Sequence, residues 1–288
     1  MNNARLKSMF GATKEPVINF SLSEISLKAQ DSVGKLSISG VQPKLSVKFD
    51  KKRCELIPIP MGGDYILKPQ PQAFPHLPEN EQCCMDIAEA FGIDVPEHCL
   101  LPLSDSSLVY IVKRFDREGH QKKHQEDFSQ ILGKDKYAGS VEQIGKKLKD
   151  ISAVPGLDIQ FLFERVVFNF LIGNGDAHLK NFSINYDQEN QIRLSPAYDI
   201  VCSKLVIPRE DDSALMINGK KHKLSRKDFD AFADYLKIPT KVRYEKFIQQ
   251  NEQMQRLVHS SKLPLEEQNK FIAIIEERYR RMSFSPCS

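Results

Sequence analysis

Three polar residues in one stretch of this 288-residue chain have the types and spacing for proton and cation chemistry. Asp176 and Asn181 stand five apart in Gly173-Asn174-Gly175-Asp176-Ala177-His178-Leu179-Lys180-Asn181-Phe182, and Asp199 follows 23 residues after Asp176. A loop carboxylate can take the proton of a hydroxyl. An amide oxygen and a second carboxylate are hard oxygen ligands of the kind Mg²⁺ selects. One group for the nucleophile and two for a metal is the minimum for phosphoryl transfer. Taken alone the pair is weak. Asp and Asn recur at this spacing by chance, and a polar loop after a helix is ordinarily only a loop. His178 by itself reads as a packing residue, and Lys180 as a solvated surface lysine.

The elements around this loop decide whether it could work. Residues 158–172 are apolar at 159, 161, 162, 163, 166, 167, 168, 170 and 171, too many for a surface helix, so a central buried helix is expected. Gly173, Asn174 and Gly175 then turn the chain into a loop. Ser183–Tyr186 and Gln191–Leu194 predict a hairpin between Asp176 and Asp199. Further helices are expected over 141–148, 226–236, 241–259 and 265–281. The first third is strand-rich: Leu36–Ser39 and Leu45–Phe49 alternate, Tyr65–Lys68 is a short strand stopped by Pro69, and Leu108–Val112 reads as buried. Prolines 69, 71, 75 and 78 predict a loop, then a helix over 79–91 capped by Gly92. The shift in composition near residue 114 divides the chain into a small β-rich part, 1–113, and a mainly helical part, 114–288. That α+β, bilobal layout is the one of a protein kinase, an analogy that does not establish function.

Three more elements stand in the order a kinase requires. Lys68 ends a short apolar strand, where an ammonium is poorly placed unless it meets a charge, such as a nucleotide phosphate. Glu81 on the following helix is a candidate partner for it; a solvated helix face is an equal reading. The turn Ser39-Gly40-Val41-Gln42-Pro43-Lys44 lies between two predicted strands, so its backbone N–H groups could cover a phosphate, with Lys44 adding charge. It is glycine-poor and fits an ordinary hairpin as well.

Taken together, Ile38–Lys44, Tyr65–Pro69, Asn80-Glu81, Val112–Arg117, His124–Phe128, Asn174–Ser183 and Pro196–Asp199 resemble the HipA family, bacterial Ser/Thr kinase toxins of toxin–antitoxin systems. The resemblance runs from about residue 33 to about 260; the Asp176–Ser183 block with Tyr198-Asp199 is its most specific part. It implies ATP and Mg²⁺ as cofactors. Ser39, Gly40, Val41, Gln42, Pro43 and Lys44 would form the phosphate-covering loop, and Lys68 would contact the α/β-phosphates. Lys113 and Phe115 would lie at the hinge beside adenine. Asp176 would be the base. His178, Lys180 and Tyr198 would line the nucleotide site, with Asn181 and Asp199 on magnesium. His124–Phe128 is read as an exposed charged run with a structural or substrate-facing role. The family's usual target class is an aminoacyl-tRNA synthetase, which the sequence does not name.

Full-length HipA proteins carry an extra small subdomain before the phosphate loop. Here that loop begins about 36 residues in, which resembles the short HipT type, whose missing piece is a separate small HipS-like subunit. The family also implies a helix-turn-helix HipB-like antitoxin, with DNA reached only through it. Ser37 and Ser39 resemble the family's autophosphorylation serines; read from the strand alone, they are two hydroxyls on one face. A small-molecule phosphotransferase and a catalytically silent antitoxin-binding module are the alternatives. An intact Lys68, Asp176, Asn181 and Asp199 set argues against the second.

Composition narrows the field. Forty-one Lys and Arg against 38 Asp and Glu leave +3, too balanced for a charge-driven nucleic-acid binder. No apolar run approaches the roughly 20 residues of a membrane span. Met1–Phe10 lacks a secretory pattern. The six cysteines form no C-x-x-C pair, so neither zinc site nor disulfide framework is expected, and a reducing cytoplasm fits. Export by a non-classical signal stays open.

Overall fold

The computed structural model describes residues 3–25, 43–118 and 121–284. The expected strand Leu36–Ser39, and the loop residues Ser37, Ser39, Gly40, Val41 and Gln42, lie outside the described residues. The chain divides into two compact units, 1–82 with 96–117, and 83–95 with 118–288.

The first unit is built on a five-stranded antiparallel sheet of β1 (Leu45–Asp50), β2 (Glu55–Pro58), β3 (Tyr65–Pro69), β4 (His98–Pro102) and β5 (Leu108–Lys113), in the order β2-β1-β3-β5-β4. β3 is central, with Leu67 opposite Leu45 on one side and Ile111 on the other. The alternation that predicts β1 also faces Val47 into the core, where it meets Leu56, Leu67, Leu101 and Ile111. Helix α1 (Asn3–Phe10) covers this core with Leu6, Met9 and Phe10. Tyr65 fastens it by donating its phenol proton to the Met9 carbonyl at 2.6 Å. β3 ends at Pro69, which is itself the last strand residue, opposite Val109. β2 and β4 carry no long alternating pattern and are visible only through their pairing. Helix α2 (Leu77–Ala90) starts two residues before the expected position, with Pro78 in its first turn, where its missing N–H costs nothing. Gly92 follows it at φ +66°, a left-handed conformation suited to glycine. The division between the units falls inside α2.

The second unit is organised on α5 (Pro155–Leu171), preceded by α3 (Phe128–Leu132) and α4 (Val141–Ile151). Leu162, Phe163, Val167, Phe168 and Leu171 on α5 are fully buried, as its excess of apolar positions requires. Strands β6 (Gln125–Asp127), β7 (Ser183–Tyr186) and β8 (Ile192–Leu194) form an antiparallel sheet in the order β8-β7-β6. The run His124–Phe128 keeps His124 exposed and Gln125–Asp127 half-buried, and its role is structural. It supplies an edge strand, Asp127 caps α3 through the Gln130 N–H, and Phe128 is fully buried. Among the described residues the α-helices that follow are α6 (Ser203–Val206), α7 (Arg226–Leu236), α8 (Asn251–His259) and α9 (Leu265–Arg281). The expected helix over 241–259 is broken. Gln249 takes φ +62°, and the buried Arg243 turns back to donate to the Ile238 carbonyl at 2.9 Å. A short 3-10 turn, Thr240–Val242, and α8 remain of it.

Asp158 joins α5 to the strand that leads toward Asp199. It is fully buried and accepts from Ser152 Oγ at 2.6 Å, Arg193 Nη2 at 2.9 Å and the Leu194 N–H at 3.0 Å. Asp158→Ala leaves a backbone donor and a guanidinium without their acceptor. Denaturant unfolding should show a loss of about 3 kcal/mol. A loss near zero would show that the pair is replaced by solvent.

Candidate catalytic site

In the second unit α5 ends at Leu171, and Gly173 at φ +70° turns the chain into the loop that carries Asp176. The Asp176 N–H donates to Asn174 Oδ1 at 3.3 Å, and Asn174 is itself held by Asn169 at 3.0 Å. A short 3-10 turn, Leu179–Asn181, closes the loop, with Asn181 Oδ1 accepting from the His178 N–H at 3.0 Å. The helix thus ends in a fixed turn, as pre-organised chemistry requires.

Asp176 is partly exposed and its Oδ1 accepts the phenol proton of Tyr137 at 2.7 Å. The Asp–hydroxyl bond pushes the Tyr137 phenol up, after the larger effect of burial. His178 is 1% exposed, and neither ring nitrogen has a partner among the described residues. Burial pulls its pKa down, against the raising influence of Asp176 and Asp199, so the ring stays neutral near pH 7. The Tyr137 ring meets it edge-on, 5.3 Å between centroids. Lys136 Nζ, over the Tyr137 ring at 4.6 Å, is likewise buried and unpartnered among the described residues. Burial pulls the Lys136 pKa down, reinforced by Lys180 and opposed by Asp176. Lys180 is exposed.

Asp199 sits at φ +54°, a conformation that costs a non-glycine residue energy and is held only by its surroundings. Those surroundings are visible. Ser195 N–H donates to the Ser183 carbonyl at 2.9 Å, and the buried Arg165 Nη2 donates to the Ser195 carbonyl at 2.6 Å. Tyr198 OH lies against Ser183 Oγ and donates to the Lys180 carbonyl at 2.8 Å, which links the Asp199 segment to the Asp176 loop. Burial pushes the Tyr198 phenol up, so it stays a donor.

In the first unit Lys68 and Glu81 are 3% and 1% exposed and form a direct Nζ–Oε1 ion pair. Tyr110, opposite Lys68 in the sheet, places its ring 5.4 Å from the ammonium. Lys113 Nζ pairs with Glu97 at 2.9 Å and donates to the Ser8 carbonyl at 3.1 Å; Phe115 lies two residues beyond, half-buried. Pro43 and Lys44 lead into β1.

The sequence reading missed Lys136, Tyr137, Ser203 and Glu210. They come from segments far from residue 176 in the chain, and no local spacing marks them.

The residues present fit a magnesium–nucleotide group. Asn181 and Asp199 offer oxygen ligands, and the buried donors of His178 and Lys136 lack protein partners among the described residues. The antiparallel sheet with its Lys–Glu pair, the long buried helix, and the Asp176–Asn181 loop followed by Asp199 define the class: a protein of kinase-like fold. More narrowly, the chain belongs to the family of the HipA-like C-terminal domain, whose sequence pattern matches residues 36–261. It is 30% identical over 285 residues to a putative kinase of Haemophilus influenzae, covering 86% of this chain and 82% of that one. It is 27% identical over 237 residues to the serine/threonine-protein kinase toxin HipA of Shewanella oneidensis, covering 73% of this chain but only 53% of that one. The chain thus spans about half the length of the Shewanella relative. The solved complex of Shewanella oneidensis HipA, HipB and operator DNA matches with a TM-score of 0.74 at 20% identity, over 95% of this chain and 74% of that one. Among the described residues no helix is long and apolar enough to cross a membrane.

Proposed function

We propose that the chain is an ATP- and Mg²⁺-dependent protein Ser/Thr kinase and the toxin of a toxin–antitoxin pair. The observation that carries the reading is the Asp176–Asn181 loop, rigidly turned and tied through Tyr198 to the Asp199 segment. Asp176 accepts the proton of the substrate hydroxyl, which takes the place of the Tyr137 phenol on Oδ1. Asn181 and Asp199 hold the metal, which when bound supplies charge neutralisation for the phosphoryl oxygens. Lys136, His178 and Lys180 line the phosphates, and Lys68, oriented by Glu81, holds the α/β-phosphates. Lys113 and Phe115 meet adenine through their backbone.

The substrate class is an aminoacyl-tRNA synthetase, whose phosphorylation would halt translation in the cytoplasm. The HipB and operator DNA in the Shewanella complex support a HipB-like antitoxin as partner, with DNA reached through it; a HipS-like subunit is a second proposed partner. The experiment is transfer of labelled phosphate from Mg·ATP by purified protein to a panel of purified synthetases, with the Asp176→Asn variant beside it. Label on one synthetase serine, absent with the variant, is expected. No label on any synthetase, with label on sugars or antibiotics supplied in parallel reactions, overturns the protein-kinase reading.

Self-inhibition belongs to the same reading. Ser37 precedes, and Ser39 begins, the loop assigned to the ATP phosphates, and both come before Gly40. A phosphoserine there brings about −1.5 to −2 charges. It would repel the triphosphate or compete for Lys44 and Lys68. Mass spectrometry should find phosphate on one or both serines in active protein and none in Asp176→Ala protein made alone. Unmodified serines in both would remove self-inhibition.

A further inference from the structure

The segment after Asp199 returns to the catalytic loop and grips it. The Gly175 N–H donates to Ser203 Oγ at 2.7 Å, and the Lys204 N–H donates to the Gly173 carbonyl at 3.1 Å. Ser203 is fully buried, and its hydroxyl in turn donates to Glu210 Oε2. A β-carbon added at Gly175 would stand 2.5 Å from Glu210 Oε2 and 2.5 Å from the Asp211 carbonyl oxygen. The Glu210 carboxylate therefore fills the space beside the residue preceding Asp176.

This carboxylate stands on a fixed base. The Glu210 N–H donates to the Ile207 carbonyl at 3.0 Å, and Lys204 Nζ ties the Pro208 carbonyl at 3.2 Å and the Glu210 carbonyl at 3.5 Å. Two residues on, Asp212 is buried and accepts from Arg278 and Arg281 on α9 and from the Leu224 N–H at 2.9 Å. A side chain so anchored can transmit position to the loop, and a hydrogen bond only one hydroxyl long leaves little slack.

We propose that Glu210 is a positioning residue: through the Ser203 hydroxyl it fixes the Gly173–Asp176 turn and so the direction of the Asp176 carboxylate. The inference rests on the kinase reading above. The groups facing Glu210 are Ser203, Asp176, Asp211 and Lys204. Tyr137 and Cys202 also feel its charge, but burial pushes their pKa values up and keeps them neutral. His222 faces Asp211 at 3.9 Å on the exposed side. Burial, opposed by the Ser203 bond and reinforced by Asp176, pushes the Glu210 carboxyl up to about 7.

The test uses the full chain with Glu210→Ala, Glu210→Gln and Ser203→Ala, beside Asp176→Asn. Glu210→Ala and Ser203→Ala should each lower kcat at least ~10-fold with KM for ATP little changed. Both should speed amide exchange at Gly175. Glu210→Gln keeps an acceptor of the same shape, so kcat should return to within roughly threefold of wild type. The ionisation near pH 7 that Glu210 adds to the wild-type rate profile should vanish in that variant. Wild-type kcat in Glu210→Ala, with Asp176→Asn inactive, overturns this inference and leaves the kinase reading standing. Equal losses in Ala and Gln, or an unchanged pH profile in Gln, overturn the hydrogen-bond role. Should Asp176→Asn keep full transfer, the kinase reading falls instead. Gly175 exchange then decides the contact, and unchanged exchange in Glu210→Ala overturns it.

Discussion

Asp176→Ala should abolish phosphoryl transfer, a fall of at least ~10³-fold in kcat, while ATP binding partly survives. On the proposed reading the residue faces the acceptor hydroxyl rather than the nucleotide, and its Oδ1 already accepts from one hydroxyl, that of Tyr137, at 2.7 Å. Removing it also frees Tyr137, which is 42% exposed and packs edge-on against His178, so a loosened ring there is the main side effect. Asp176→Asn keeps the volume and an acceptor for Tyr137 but cannot take a proton, and it should fall as far. Asp199→Ala should be as inactive for a different reason, loss of the proposed metal ligand, and its defect should extend to Mg²⁺-dependent ATP binding. Arrested growth on expression should disappear with each. Full toxicity from correctly folded Asp176→Ala would sink the kinase mechanism.

The parts of this protein legible in its sequence are those with strong local patterns. α7 and α9 have the expected bounds, 226–236 and 265–281, because their apolar stripes repeat over several turns without interruption. The buried character of α5 follows from apolar residues on all sides. The hairpin between Asp176 and Asp199 was legible because β7 and β8 are short alternating runs about a turn. What failed was tertiary in origin. α1 is eight residues long and its role depends on Tyr65 and Phe49, more than 35 positions away. The helix expected over 241–259 had adequate propensity but was overridden by Arg243 folding back onto Ile238 and by the left-handed Gln249. At the site, the Asp/Asn spacing and the Lys68–Glu81 pairing could be read along the chain. Tyr137, Lys136 and Glu210 could not, since each reaches Asp176 only through a fold-level contact. Their types (a phenol, an amine and a carboxylate) are common everywhere on a surface.

Lys68→Met should raise the dissociation constant for ATP by about 10–100-fold, the order for losing one charge-assisted contact to phosphate. It should also destabilise the fold. Glu81 is 1% exposed, and removing the ammonium takes a buried ion-pair partner from its carboxylate, a loss of about 3–5 kcal/mol. These two effects must be separated, because a less stable protein can lose ligand affinity by unfolding alone. The double variant Lys68→Met/Glu81→Leu does so. It replaces the buried pair with apolar groups of similar volume beside Tyr110 and should recover most of the lost stability. If Lys68 holds phosphate, the double variant is stable yet still binds ATP weakly. Glu81→Gln gives the complementary case: the ammonium keeps a hydrogen-bond acceptor but loses its charge partner, so ATP affinity should fall less than in Lys68→Met. Calorimetric titration of nucleotide into all three, with melting temperatures measured on the same samples, is the experiment. Wild-type affinity in the stable double variant would make Lys68–Glu81 a structural pair on the sheet and nothing more.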